Sequence, residues 1–312
     1  MNLIDFHCDT IYELLRRGDE SGLLRNNLSV DIDKMKKGNS LAQFFALYID
    51  QKQTENPLDS CLKMLDKFYL ELDKNKSSIA IAKNYRDLNR NKNNGKISAF
   101  LTIEGGDALN GSLYNLRNFY RLGVRLITLT WNFPNEIGYP NCKPEFVYRG
   151  LTSFGQEVVR EMNNLSMIID VSHLSDKGFY DVARLSKKPF VASHSNARSI
   201  TNHPRNLTDE MIKILAEKGG VMGINFEKSF LGDNIPATVS DIITHIKHIK
   251  KIGGIDIIAI GSDFDGVDLP SEITNISEMD KLFHGLSRNG FSEDEIEKIF
   301  YKNILRVIRE VL

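Results

Sequence analysis

Side chains able to hold a metal ion or move a proton sit at the ends of short apolar runs in this chain. The first run closes in Asp5-Phe6-His7-Cys8-Asp9. Alternate side chains of a strand share a face, so His7 and Asp9 point one way and Cys8 the other. Such a His-x-Asp pair can grip a divalent ion through nitrogen and oxygen. A later run ends Thr102-Ile103-Glu104-Gly105-Gly106, an acid followed by two glycines that allow close backbone approach. Others end Ile169-Asp170-Val171-Ser172-His173, Ala192-Ser193-His194-Ser195 and Gly261-Ser262-Asp263-Phe264-Asp265-Gly266. One strand-end histidine alone is more often a hydrogen-bonded structural residue. The set His7, Asp9, Glu104, His173, His194 and Asp263 is a stronger signal. Two imidazoles and two or three carboxylates can hold two ions about 3.5–4 Å apart and generate hydroxide near neutral pH, with Glu104 the natural bridge.

The elements that must position these groups follow from periodicity. Strand-like runs are Leu3–Cys8, Ala42–Ile49, Ile97–Ile103, Val124–Thr130, Met167–Ser172, Phe190–Ser193, Gly220–Asn225 and Ile257–Ser262. They are apolar on consecutive positions, as expected of strands covered on both faces. Between them, Leu58–Leu72, Ser112–Leu122, Ser153–Asn163, Asp176–Leu185, Thr208–Glu217 and Val239–Lys251 carry apolar residues at helical spacing. Helix starts are predicted at Ser153, with Gln156 three residues on, and at Thr208. The polar stretch Asn89–Gly95 reads as a solvated turn. From about Glu272 the chain reads as extra terminal helices, with a capping box at Ser292-Glu293-Asp294-Glu295. Eight alternations predict an α/β fold, a (β/α)8 TIM barrel of metal-dependent hydrolase type, as one domain over residues 1–312. A doubly wound open sheet is disfavoured, because no GxGxxG or GxxxxGK[ST] loop follows a strand. Barrels of this kind place their active sites at the strand C-terminal ends, where the candidate ligands fall.

Composition narrows the function classes. The 312 residues carry 40 Lys+Arg against 41 Asp+Glu, a net charge of −1 that argues against nucleic acid or a polybasic membrane patch. Three scattered cysteines without CxxC spacing fit a reducing compartment and exclude a disulfide framework. The N-terminus shows no basic and apolar leader, and no window approaches the roughly 20 apolar residues of a membrane span. A cytoplasmic enzyme is expected, with monomer and homodimer both open. Other polar residues receive plainer readings. Asp170 is expected to orient a neighbour, Asp265 to shape a turn with Gly266, and His203 to sit on a loop surface. His245 and His248 are expected to face solvent from a helix, His284 carries no signal, and Cys8 and Cys142 are unremarkable thiols.

The ordered motifs resemble the membrane (renal) dipeptidase family, peptidase family M19, zinc dipeptidases related to the amidohydrolase barrels. The resemblance rests on Asp5–Thr10, Ile103–Gly106, Leu126–Thr130, Gly150–Gly155, Asp170–His173, Ser193–Ser195, Arg205–Asp209 and Gly261–Gly266. It implies that His7 and Asp9 bind one zinc, His173 and His194 a second, and that Glu104 bridges them. It implies that Asp263 contacts the bridging water or the substrate amine and shuttles protons, and that Arg205 binds the terminal carboxylate of a dipeptide. The implied reaction is attack of a zinc-bridging hydroxide on the dipeptide carbonyl, with tolerance for a C-terminal D-residue.

One position departs from the resemblance. The better-known members carry a histidine directly after the Leu-Thr-Leu-Thr run, against the scissile carbonyl. Here Trp131 stands there, followed by Asn132. Indole donates one hydrogen bond and cannot become cationic. Asn132, Asn135, Tyr139 or the metal alone would have to replace the lost donor. Trp131 and Asn132 are therefore expected in the substrate pocket. Another amidohydrolase-type barrel acting on a small amide or lactam is the alternative, and there a carboxylated lysine after the fourth strand commonly bridges the metals. The fourth strand here ends Thr128-Leu129-Thr130-Trp131, with no lysine. A barrel that only binds would be expected to lack a ligand, and none is missing.

Overall fold

Strands that are apolar on both faces need helices outside and a filled lumen inside, and the chain supplies both. The computed structural model describes residues 1–18, 22–267 and 271–312. The described strands, all parallel, are β1 (Leu3–Cys8), β2 (Ser40–Tyr48), β3 (Ile79–Ile81), β4 (Ile97–Glu104) and β5 (Val124–Thr128), followed by β6 (Ile168–Asp170), β7 (Val191–Ala192), β8 (Val221–Ile224) and β9 (Ile258–Ile260). The ring closes because β1 pairs with both β2 and β9, and β2 pairs with β4. The result is an eight-stranded TIM barrel of β1, β2 and β4–β9, each matching one predicted run.

The short β3 was not expected from the sequence. It pairs with Ile97–Ala99 of β4, and β5 takes over the same edge from Leu101. The predicted turn at Asn89–Gly95 is also corrected, because a helix runs through Tyr85–Asn93. Its buried Asn91 explains why so polar a segment folds. The Asn91 amide donates to the carbonyls of Ala80 and Ile81, at 3.1 and 3.2 Å, and so secures β3.

Every barrel strand gives at least one residue, from Ile4 and Phe44 to Val221 and Ala259, to a single buried apolar cluster with Ile304, Val307, Ile308 and Val311. The C-terminal helix Asn303–Val311 thus seals the lumen, leaving the strand C-terminal ends for polar work. The outer helices lie where periodicity placed them, at Pro57–Lys74, Leu113–Arg121, Ser153–Leu165, Asp176–Leu185, Asp209–Glu217 and Val239–Gly253. Thr208 caps its helix by accepting from the Met211 amide, and Ser292 with Glu295 forms a full capping box. The start predicted at Ser153 shifts by one residue, since Thr152 accepts from the Gly155 amide. No described helix is long and apolar enough to cross a membrane.

Candidate active site

All six candidate side chains converge at the strand C-terminal ends. Glu104, at the end of β4, divides its carboxylate between two groups. Its Oε2 lies 3.4 Å from His7 Nε2, while Oε1 lies 2.9 Å from His173 Nε2 and 3.3 Å from His194 Nε2. Asp9 Oδ2 and Asp263 Oδ1 approach His7 Nε2 at 3.4 and 3.6 Å. Three overlapping groups, His7–Asp9–Glu104, Glu104–His173–His194 and His7–His194–Asp263, each have ligand atoms within 4.8 Å of one another. His7 Nε2 and Asp9 Oδ1 are buried without a hydrogen-bond partner. Orphaned atoms of this kind are costly unless something else satisfies them, and a cation fits this donor set.

Tight backbone packing brings the carboxylates in. A Cβ at Gly266 would lie 2.0 Å from Asp9 Oδ2, so a side chain there would displace a candidate ligand. Gly105, directly after Glu104, adopts φ +100°, which side-chain-bearing residues avoid. Asp263 and Asp265 take φ values of 62° and 70°, strain of order 1 kcal/mol each. Their carboxylates are tied down nonetheless. Asp263 Oδ2 accepts from the Asn225 amide at 2.7 Å, and Asp265 accepts from Thr10 Oγ1 and the Ser29 amide at 2.6 Å each.

The imidazoles are oriented from behind. His194 Nδ1 lies 2.8 Å from Ser193 Oγ, and His173 Nδ1 lies 3.1 Å from Asn132 Oδ1. Asp170, the residue read as orienting a neighbour, accepts from both the amide and the hydroxyl of Ser172 and of Ser193, and from Thr128 Oγ1.

Burial and mutual charge set the protonation equilibria. Burial pushes Asp9 up to about 8 against the pull of His7, and Asp263 up to about 6. Burial lowers His173 to about 4, with Arg205 adding to it, and takes His194 well below the usual imidazole range. His7 goes the other way, because Glu104 and Asp9 outweigh its burial. Glu104 stays well below the usual carboxylate range, its own burial outweighed by the histidines. A bound dication would favour the charged carboxylates and neutral imidazoles throughout.

Above this cluster opens a cavity of about 660 Å³. One wall is aromatic, with Tyr12, Tyr48 and Trp131 meeting edge to face at centroid distances of 5.0 and 4.9 Å. The opposite wall carries Arg205, whose guanidinium is buried, donates to the carbonyls of Ser172 and His194, and lies 5.3 Å over the Phe230 ring.

Several expectations need correction. His203 lines the cavity instead of the surface, held by the Arg205 amide donating to its Nδ1 at 3.2 Å. His245 is fully buried, accepting at Nδ1 from the Ala197 amide at 3.1 Å, and His248 is half-buried against Asp209 at 2.7 Å. Cys142 stands in the cavity wall, and so does Asp265, which also forms the turn expected of it with Gly266. Of the residues considered as replacement donors, Asn135 is spent on the Leu129 carbonyl and Asp107, and the Tyr139 hydroxyl accepts from Arg149. Neither lines the cavity, whereas Trp131 and Asn132 do. Sequence reasoning missed Asn225, Tyr48, Tyr12 and Phe230. Asn225 ends a predicted strand and Tyr48 lies one residue from the end of another, so the strand-end rule applied to every run would have found them. Tyr12 and Phe230 arrive from beyond the strands and left no local signal.

A parallel barrel with clustered imidazoles and carboxylates at its strand C-terminal ends is the arrangement of a metal-dependent hydrolase. Over residues 1–312 the chain matches the family described as "Membrane dipeptidase (Peptidase family M19)". The chain belongs to that family and is a metal-dependent dipeptidase. It is 35% identical over 240 residues to a Klebsiella pneumoniae protein described as "Uncharacterized protein in pqqA 5'region", covering 72% of this chain and 86% of that one. A metallopeptidase from Rhodobacter sphaeroides, solved with a phosphinate mimic of the dipeptide L-Ala-D-Ala, is 26% identical. It superposes with a TM-score of 0.91 over 100% of this chain and 99% of its own. The M19 dipeptidase AC, 28% identical, gives 0.92 over 100% and 98%.

Proposed function

We propose that this dipeptidase works with two zinc ions, one held by His7 and Asp9, the other by His173 and His194, with Glu104 shared between them. The observation that carries the reading is the division of the Glu104 carboxylate, whose two oxygens face different imidazoles. Zinc, when bound, supplies Lewis acidity toward the carbonyl and acidifies a bound water toward neutral pH.

The protein's own groups do the rest. Arg205 pairs with the terminal carboxylate of the substrate and so limits its length to two residues; a guanidinium suits such pairing. Asp263, held by Asn225, takes the proton of the attacking water and passes it to the leaving amine. Trp131 contributes an apolar wall and no cationic donor, and Asn132 acts mainly through His173. Acceptance of a C-terminal D-residue is supported by the dipeptide mimic bound to the Rhodobacter sphaeroides relative. We place the enzyme in the cytoplasm as one domain, a reading supported by its three unpaired cysteines.

The test is hydrolysis of L,L- and L,D-dipeptides by protein reconstituted with zinc, with a tripeptide and a chelated sample as controls. Turnover of dipeptides alone, lost on chelation and maximal at two ions per chain, is the expected result. Full activity with one ion would refute the two-ion centre. Arg205→Ala should raise KM for dipeptides at least about tenfold, given the strength of charge-assisted pairing, and change little with a dipeptide amide.

A further inference from the structure

The hub beneath His194 does more than join strands. Asp170 lies at the end of β6, and Ser193 directly follows β7. Ser193 Oγ lies 2.5 Å from Asp170 Oδ2 and 2.8 Å from His194 Nδ1. All three residues are buried, so water cannot redefine the pattern. Asp170 is surrounded by donors. Its Oδ1 receives the amides of Ser172 and Ser193 and the Ser172 hydroxyl, and its Oδ2 receives Thr128 Oγ1 as well as Ser193 Oγ.

A hydroxyl has one proton to give. With the Ser193 proton committed to Asp170, Ser193 Oγ can only accept from His194, and Nδ1 must carry the hydrogen. That leaves the Nε2 lone pair turned toward Glu104 Oε1 at 3.3 Å and His173 Nε2 at 3.0 Å, a place for a shared proton or a cation. We infer that Asp170 and Ser193 form a proton-ordered relay that fixes the metal-binding tautomer of His194. Asp170 and Ser193 are thus positioning residues, acting through a serine where a carboxylate more commonly touches the histidine directly. The inference rests on His194 being a metal ligand, as proposed above.

The relay has a polarity, and polarity can be reversed. In Asp170→Asn, the amide oxygen can keep the Oδ1 bonds to both backbone amides. The new NH₂ then faces Ser193 Oγ and donates to it. The Ser193 proton then turns to His194 Nδ1 at 2.8 Å, the nearer acceptor with Ser172 Oγ at 3.2 Å, and the imidazole hydrogen moves onto Nε2, where a metal would bind. Ser193→Ala deletes the relay without reversing it, and Ser193→Thr preserves it. Thr128→Val removes a different hydroxyl from the same Asp170 oxygen without touching His194, and serves as the control for loosening of the hub.

The experiment is a zinc titration of each metal-free protein against a chromophoric chelator, with ring-nitrogen NMR of the metal-free histidines. Wild type should take two ions and show His194 protonated at Nδ1. Asp170→Asn and Ser193→Ala should bind one of the two ions about 10–100-fold more weakly, the usual effect of losing such a partner, with Asp170→Asn moving the His194 proton to Nε2. Ser193→Thr and Thr128→Val should stay within about threefold of wild type. Equal affinity in Ser193→Ala, or an equal loss in Thr128→Val, would overturn the relay. Wild-type protein that takes up no zinc would instead overturn the ligand assignment on which the relay rests.

Discussion

His173 and His194 enter the cluster with Nδ1 held from behind, by Asn132 and Ser193, whereas His7 and Asp9 arrive with Nε2 and Oδ1 unpartnered. His173 is held across neighbouring strand ends, and His194 by the adjacent Ser193, itself tied to Asp170 of the next strand. The second pair has buried polar atoms without a hydrogen bond, His7 Nε2 facing only carboxylate oxygens at 3.4 Å or more. Their charge equilibria differ in the same sense. Burial keeps His173 and His194 neutral, the form a metal needs, while His7 and Asp9 are both shifted toward their protonated forms. One half is prepared by the fold, and the other leaves buried polar atoms that a cation would satisfy.

The largest effect should come from the residue common to both halves. Glu104→Gln should lower turnover by at least about 10³-fold, as expected when a two-metal centre is lost, and weaken both ions; full activity would refute the bridge.

Acidification should separate the halves. Protons and zinc compete for the same lone pairs, so affinity falls as pH drops through a ligand's pKa. His7 lies above its ordinary value and Asp9 near 8, whereas His173 lies near 4. On lowering pH from 8 to 5 (about three orders of magnitude in proton activity), the ion at His7 and Asp9 should therefore leave first. Zinc stoichiometry measured against pH should fall in two steps, and simultaneous release would erase the distinction.

A smaller effect tests the preparation itself. Asp9→Asn should weaken zinc binding yet shift the stability of the metal-free protein by only about 1 kcal/mol, since Oδ1 has no donor to lose and Oδ2 only its 3.4 Å contact with His7. A large loss of stability in chemical denaturation would show that Asp9 also supports the fold. The smallest effect on the site lies outside both halves, where Thr152→Ala should cost about 1 kcal/mol of stability through its lost helix cap. Zinc affinity should be unchanged.

The two halves were not equally legible. His7-x-Asp9 announces itself within three residues, because a strand end brings such neighbours to one place. The partners that come from other strand ends were harder to read. Asn132 was expected at the substrate, and its contact with His173 spans 41 positions. Asn225 reaches Asp263 across 38. His245 looked solvent-facing because its helix lies outside the barrel, yet it is buried between the Ala197 amide and the Leu231 carbonyl.

What this sequence determined by itself is local: eight apolar runs, most helices and caps, and which ionisable residues fall at strand ends. These depend on spacing within a few residues, which side-chain direction and backbone hydrogen bonding translate directly into structure. Tertiary closure decided which lone pairs face one another, which hydroxyls order them, and how far burial displaces each proton. Those outcomes depend on distances between residues far apart in the chain and on the exclusion of water, and neither exists until the barrel has closed.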